Sequence, residues 1–379
     1  MFRKALSIVF KLNNYPLVNE TPMSIFLQTF AVYNSFHFKV LLHMRYSIVK
    51  KTGLVALIIT GLVSVVFAWG VWGHQHINHA AVFALPADMR SFYYNHIDFI
   101  TEESVVPDIR KYTINDKPEF ARHYIDIEAF ANTPFDSLPK TMKEATAKYN
   151  DSILQKNGIL PWYIQEMMEK LTKAFKDKRK TDILFLSADL GHYLADANMP
   201  LHTSLNHDGQ LTDQKGIHGF WESQLPEMFG DGYNFNLPQA NYISDITAES
   251  WRIIKHSHGL ADSLLLIERN LKASYSKDNI YKKDSSGAIY KNVFGQPVHT
   301  FEYSQAFHEA MKGMVQNQMR HSIQDIANFW YTAWVNAGKP DLNELDPAEL
   351  TKSNAKKYRK ELQLIKKGKL FGFKANREY

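Results

Sequence analysis

The stretch "KTDILFLSADLGHYLADANMP", Lys180 to Pro200, constrains the fold more than any other part of the chain. As a helix it is apolar on most faces, so it needs neighbours on nearly every side. Pro200 stops it, because proline lacks the backbone donor and clashes with the preceding turn. Candidate neighbours follow the same period. Apolar residues recur at helical spacing over 75–100, 141–178 and 243–273, and Ser304–Asn336 reads as a last long helix. Within 141–178, "LPKTMKEATAKY" and "LPWYIQEMMEKLTKAF" each carry a proline near a helix start. Few stretches alternate with period two, and 276–304 has the turn-rich composition of a loop or short hairpin. The expectation is an all-α protein built as a single helical-bundle domain. With 379 residues the chain is long enough to bury a sizeable core, and it contains no internal repeat.

The central helix also carries His192 and Asp196, at i and i+4 on one face, roughly 6 Å apart. Burying an ionised carboxylate and an imidazole among Leu, Ile and Phe is costly unless something pairs them. A divalent cation would do so, and a simple Asp–His ion pair is the equal alternative. His202, just past Pro200, can turn back to the same region. A second pair shifts the balance towards metal. "GIHGFWES" sets His218 and Glu222 at i and i+4, on a stretch that can open a helix after Gly216. Imidazole nitrogen and carboxylate oxygen suit zinc. The chain has no cysteine, so any metal here is held by His, carboxylates, carbonyls or a terminal amine, and disulfides are excluded.

The N-terminal region reads as a targeting segment rather than as fold. From Met44, "MRYSIVKKTGLVALIITGLVSVVFA" has a basic start, an apolar run over Leu54–Phe67 and small residues before Trp69. Fourteen residues of helix span roughly 21 Å, short of the roughly 30 Å hydrocarbon core, which favours a cleaved secretory signal over a membrane anchor. Residues 1–43 resemble neither signal nor domain, and Met44 is a candidate true start. The expected division is an extension over 1–43, a signal over 44–68, a domain over 69–342 and a basic tail over 343–379. Cleavage after Ala68 implies a periplasmic or extracellular protein with Trp69 first. The stretch Lys352–Arg377 holds ten Lys or Arg against one acid and reads as a solvated tail, with weak contact to an anionic surface as the other reading. The formal charge of +5 does not by itself indicate a nucleic-acid binder, and no obligate protein partner is evident.

With these motifs in place, the chain resembles the superfamily of bacterial zinc-dependent phospholipases C and fungal and plant single-strand-specific zinc nucleases. The resemblance runs through motifs from Trp69 to about Glu222 and more loosely to about Leu342. It implies a helical phosphodiesterase with three zinc ions in one cleft. "WGVWGH" is similar to the family's opening, so Trp69 (through its own amine and carbonyl) and His74 would hold one zinc with Asp196. Asp108 in "VVPDIRKY" and His123 in "ARHYIDIE" would hold a second zinc with His192 and a bridging Asp196. His202, His218 and Glu222 would hold the third. A terminal α-amine has a pKa of about 7.7–8.0 and can coordinate near neutral pH, provided cleavage falls directly before Trp69.

By the same resemblance, a zinc-bound hydroxide attacks a phosphodiester, with Asp108 as ligand and candidate base. No G-x-S-x-G or Walker-type motif competes for the role. Asp126 could orient His123 or a water, or simply cap a turn. Tyr124 could stack on a substrate ring or pack in the core. The substrate is a phospholipid or a single-stranded nucleic acid. The Asp108-to-His123 spacing and "HYIDIE" look like the nucleases, while the short His202–His218 connection and its closing Glu222 look like the phospholipases. The nuclease segment "GGN" is missing from "TSLNHDGQLTDQKGIHG", which tips the expectation towards a phospholipase C-like enzyme. A zinc-binding envelope protein without catalysis is the third reading.

Overall fold

Helix follows helix from Gly70 to Lys366 in the computed structural model, which describes residues 69–113, 116–130, 135–292, 295–346, 349–370, 372 and 379. The expected extension and signal, 1–43 and 44–68, lie outside the described residues. The protein is all-α. Among the described residues there is no β-strand, and 281–299 contributes only isolated antiparallel bridges such as Tyr281 with His299.

Seven helices frame the site and the basic C-terminal stretch: α1 (Gly70–Ala84), α2 (Val106–Thr113), α3 (Leu160–Lys176), α4 (Lys180–Ala197), α5 (Ile246–Ser274), α6 (Met314–Asn336) and α7 (Lys352–Lys366). α4 is the enclosed helix the sequence called for. It packs against α1, α3, α6 and Ile97–Glu103, and its Ile183, Leu190, Leu194 and Ala195 are fully buried. Close approach of α1 to α4 depends on Gly191. A Cβ there would lie 2.3 Å from Asn78 Oδ1, and Asn78 Nδ2 donates to the Ala188 carbonyl of α4.

Two expected helices are broken. The region 75–100 forms three pieces, interrupted at Leu85–Pro86 and at His96. Ser304–Asn336 is interrupted at Met311–Gly313, where Lys312 and Gly313 take φ of 50° and 85°. A left-handed pair cannot continue an α-helix, and glycine makes that conformation inexpensive. Thr300 and Asp245 cap the following helices by accepting from Tyr303 N and Ala248 N.

The basic C-terminal stretch also departs from the solvated tail expected of it. Lys352–Lys366 is a helix packed on the body through Glu361, Ile365 and Tyr358. Glu361 accepts from Tyr94 Oη and lies 3.1 Å from His79 Nε2. The only acid in an otherwise cationic stretch is thus the buried anchor.

Candidate metal centre

α1, α2, α4 and three short segments converge on one point. α1 presents His74, α2 presents Asp108, and α4 presents His192 and Asp196 one turn apart. His123 and His202 come from the single 3₁₀ turns Ala121–His123 and Pro200–Thr203, whose backbones are tied together, and His218 and Glu222 from Ile217–Gly219 and Phe220–Gln224. Gly158, at φ 87°, ends Asp151–Asn157 and leaves room that a Cβ would fill, 2.0 Å from the Tyr124 carbonyl. The chain there lies against 121–126, with Ile159 N donating to the Ala121 carbonyl and Asp126 N to that of Asn157. The His123 segment is then held to the His202 turn by Ile125 N on the His202 carbonyl at 2.9 Å.

The side chains meet as the i, i+4 pairs imply. Asp196 lies 3.0 Å from His123 Nδ1, 3.3 Å from His192 Nε2 and 3.5 Å from His74 Nε2. His192 stacks on His74 with ring centroids 3.9 Å apart and lies 3.1 Å from His123. Asp108 reaches His123 at 3.5 Å and His192 at 4.0 Å. Next to these, His218 Nε2 is 3.1 Å from Glu222, and His202 Nε2 is 3.6 Å from it. Three buried donor groups able to hold a metal ion result: His74/His192/Asp196, Asp108/His123/His192 and His202/His218/Glu222. Eight of the nine expected ligands fall in them.

Trp69 is the ninth, expected through its backbone rather than a side chain. Its nitrogen donates to Glu222 of the third group at 3.1 Å. Its carbonyl accepts from Gly73 N, and its indole donates to the Ala195 carbonyl. The cause is chemical. With Ala68 attached, the Trp69 nitrogen is a peptide donor with no lone pair to offer, so it pairs with a carboxylate.

The donors suit a cation. His192, His202 and His218 each direct Nδ1 at a backbone carbonyl, of Ser104, His123 and His207, at 2.7–2.9 Å. A carbonyl only accepts, so each ring carries a proton on Nδ1 and leaves Nε2 as the atom that faces inward. The inward atoms of His202 and His218 face each other at 3.2 Å. Both nitrogens of His74, Asp108 Oδ2 and Asp196 Oδ1 are buried without a hydrogen bond. Such a concentration of unsatisfied donor atoms is what a bound cation resolves.

Electrostatics agree. Burial works against ionisation of Asp196, yet His192, His202 and His123 outweigh it and hold the carboxyl well below its usual range. Burial likewise disfavours a charged His218, but Glu222 overrides it and pushes the ring up to about 9. The pair wants one positive charge between its members.

Two supporting residues were not read from the sequence. Lys111, buried one turn after Asp108, sets its ammonium 3.1 Å from Asp108 Oδ1. Glu119, fully buried, lies 3.4 Å from His123 Nε2 on the side away from the donor groups. Arg122 and Arg110 hold it at 2.8 and 3.3 Å, and Tyr193 donates to its other oxygen. Both were findable, since each sits at i, i+3 or i, i+4 from a ligand. The chain segment around Glu119 gave no helical signal to apply that spacing to.

Asp126 makes no hydrogen bond to His123. Burial and the neighbouring Glu128 push its carboxyl up to about 7. Tyr124, half-buried, donates its hydroxyl to the Lys156 carbonyl and lays its ring against Gly158. His76, His79, His256, His258, His308 and His321 stay outside the donor groups. Of the eight grouped residues only His218 and His202 reach solvent appreciably, at 9% and 5% exposure, so any ligand approaches from their edge.

No protein-family model matches this chain, and no curated protein matches it.

Proposed function

We propose that the chain is a zinc-dependent phosphodiesterase with three ions, acting on a phospholipase C-like substrate. The observation that carries the reading is the convergence of three buried His/carboxylate groups around Asp196 and Glu222. Divalent ions held there would polarise a phosphoryl oxygen and acidify water, the two requirements of phosphodiester hydrolysis near neutral pH. Mixed imidazole and carboxylate donors favour zinc over calcium or magnesium. The chain's own residues have definite parts. His202 and His218 face the approaching phosphate, Lys111 supplies a fixed positive charge beside Asp108, and Glu119 orients His123 through its outer nitrogen. Asp126, on the same segment, can exchange a proton near pH 7.

Export completes the proposal. Removal of residues 1–68 would convert the Trp69 peptide nitrogen into an α-amine beside Glu222, adding a ligand that the longer chain lacks. The packed ring and committed hydroxyl of Tyr124 weigh against a base-stacking nuclease pocket. Near-complete burial of the donors favours one second reading, a metal-binding envelope protein without catalysis.

The test starts from purified chain beginning at Trp69, with metal content measured. Hydrolysis of bis-nitrophenyl phosphate, phosphatidylcholine and single-stranded DNA is then followed with and without chelator. Chelator-sensitive release of phosphocholine supports the proposal. Turnover of DNA alone moves the substrate to nucleic acid, and a fully zinc-loaded protein inert on all three sinks the enzyme reading.

A further inference from the structure

Lys352, Lys356, Arg359, Lys360, Lys366 and Lys367 are all exposed on α7 or at its end. At roughly 100° per residue they fall within an arc of roughly 120°, with Gln363 near its centre. The arc contains no acid, and none of the six side chains makes an ion pair or hydrogen bond among the described residues. The opposite face is clamped to the body. Tyr358 stacks on Phe83 and packs edge-on to Tyr94, Glu361 and Ile365 are buried, and Lys357 pairs with Asp98 at the flank.

This is an unusual use of charge. Like charges at i, i+4, as in Lys352/Lys356 and Lys356/Lys360, destabilise a helix. A helix whose exterior serves only solubility mixes the two signs. Here the one acid lies underneath, and the repulsion along the outer face is left unrelieved.

We propose that this face docks on an anionic phospholipid bilayer. The row from Lys352 to Lys367 runs roughly 22 Å along one side of the helix, an extent suited to a flat surface. Five of its six cations are lysines, point charges suited to a diffuse anionic field rather than forked donors suited to base edges. No aromatic side chain lies in the arc to stack on bases, as a single strand would require. The apolar face of α7 is already buried in the protein, so attachment is electrostatic, without insertion, and is screened by salt.

The test is co-sedimentation of the full chain with vesicles of phosphatidylcholine alone or mixed with phosphatidylglycerol. Its variants are the triple substitution Lys356→Glu, Arg359→Glu, Lys360→Glu and a charge-matched control, Lys143→Glu, Lys282→Glu, Lys291→Glu. Any contribution of the apolar segment Leu54–Phe67 is common to both lipid mixtures and all variants. Each lysine or arginine near an anionic surface is worth roughly fivefold in affinity, so the triple charge reversal should weaken binding to phosphatidylglycerol vesicles by at least about 100-fold. The control should bind like the parent, and added salt should release the parent. Circular dichroism confirms that the variants keep their helices. Equal loss in both variants, or no preference of the parent for phosphatidylglycerol, overturns the proposal. So does binding to a single-stranded oligonucleotide, but not to vesicles, that is lost with the stripe.

Discussion

Asp196→Asn is the substitution that most directly tests the metal centre. The change keeps the size and shape of the side chain and removes its charge. Asp196 is fully buried and within 3.8 Å of four imidazoles, those of His74, His123, His192 and His202. Removing one partner from a buried charge pair typically costs about 3–5 kcal/mol. At about 1.4 kcal/mol per factor of ten, that is a loss of roughly 10²- to 10³-fold or more in metal affinity. The loss should fall on the His74 and Asp108 groups, which share this corner. His202, His218 and Glu222 carry their own carboxylate and should keep their ion. Competition against a chromogenic chelator, with bound metal counted by elemental analysis, reads both numbers. The expected result is loss of two ions and retention of one. Full occupancy at parental affinity would refute the reasoning, as would simultaneous release of every ion from a variant with unchanged helical content.

Three further outcomes follow from the same geometry. In chelated protein, the His218 ring raised to about 9 contributes stability that is complete below about pH 6.5 and is lost as pH climbs through 9. Urea unfolding across that window should fall by about 3 kcal/mol, and Glu222→Gln should flatten the slope. Glu119→Gln should weaken metal binding roughly 10- to 100-fold by loosening His123, while leaving the third group loaded, as read by the same chelator competition. Asp325, raised to about 7 by burial despite Asn198 and Arg252 nearby, destabilises the fold progressively as pH rises above about 4. Asp325→Asn should therefore be neutral near pH 4 and gain up to about 4 kcal/mol above pH 7, and a denaturant series without that divergence would disprove the assignment.

The parts of the centre that were legible are those governed by local spacing. His192/Asp196 and His218/Glu222 were readable because one helical turn brings each pair to one face, and α4 was readable as central because little of it is polar. The meeting of Asp108 and His123 with α4 is a long-range packing event that spacing does not encode, and only the resemblance anticipated it. Lys111 and Glu119 went unread because a lysine and a glutamate on a short helical stretch are ordinarily solvated, whereas here both are buried. The break at Lys312–Gly313 was hidden because a single glycine inside an apolar period is compatible with a continuous helix. The anchoring role of Glu361 was hidden for a related reason, since its partners His79 and Tyr94 lie far away in the chain.

The turn carrying Glu222 has a property that no residue type announces. Phe220–Gln224 is π-helical, with Leu225 N donating to the Phe220 carbonyl, although α-helix lies on both sides of it. A π turn holds one residue more than an α turn. Loss of one residue from this stretch can therefore be absorbed by a return to ordinary winding, with the flanking halves kept in phase. If the lost residue lies between His218 and Glu222, their spacing falls from four residues to three, which still shares a helical face. In a library of natural or laboratory variants, single-residue deletions that spare His218 and Glu222 should be better tolerated here than in the uniform α-helices, a bias set by helical phase rather than by side-chain chemistry.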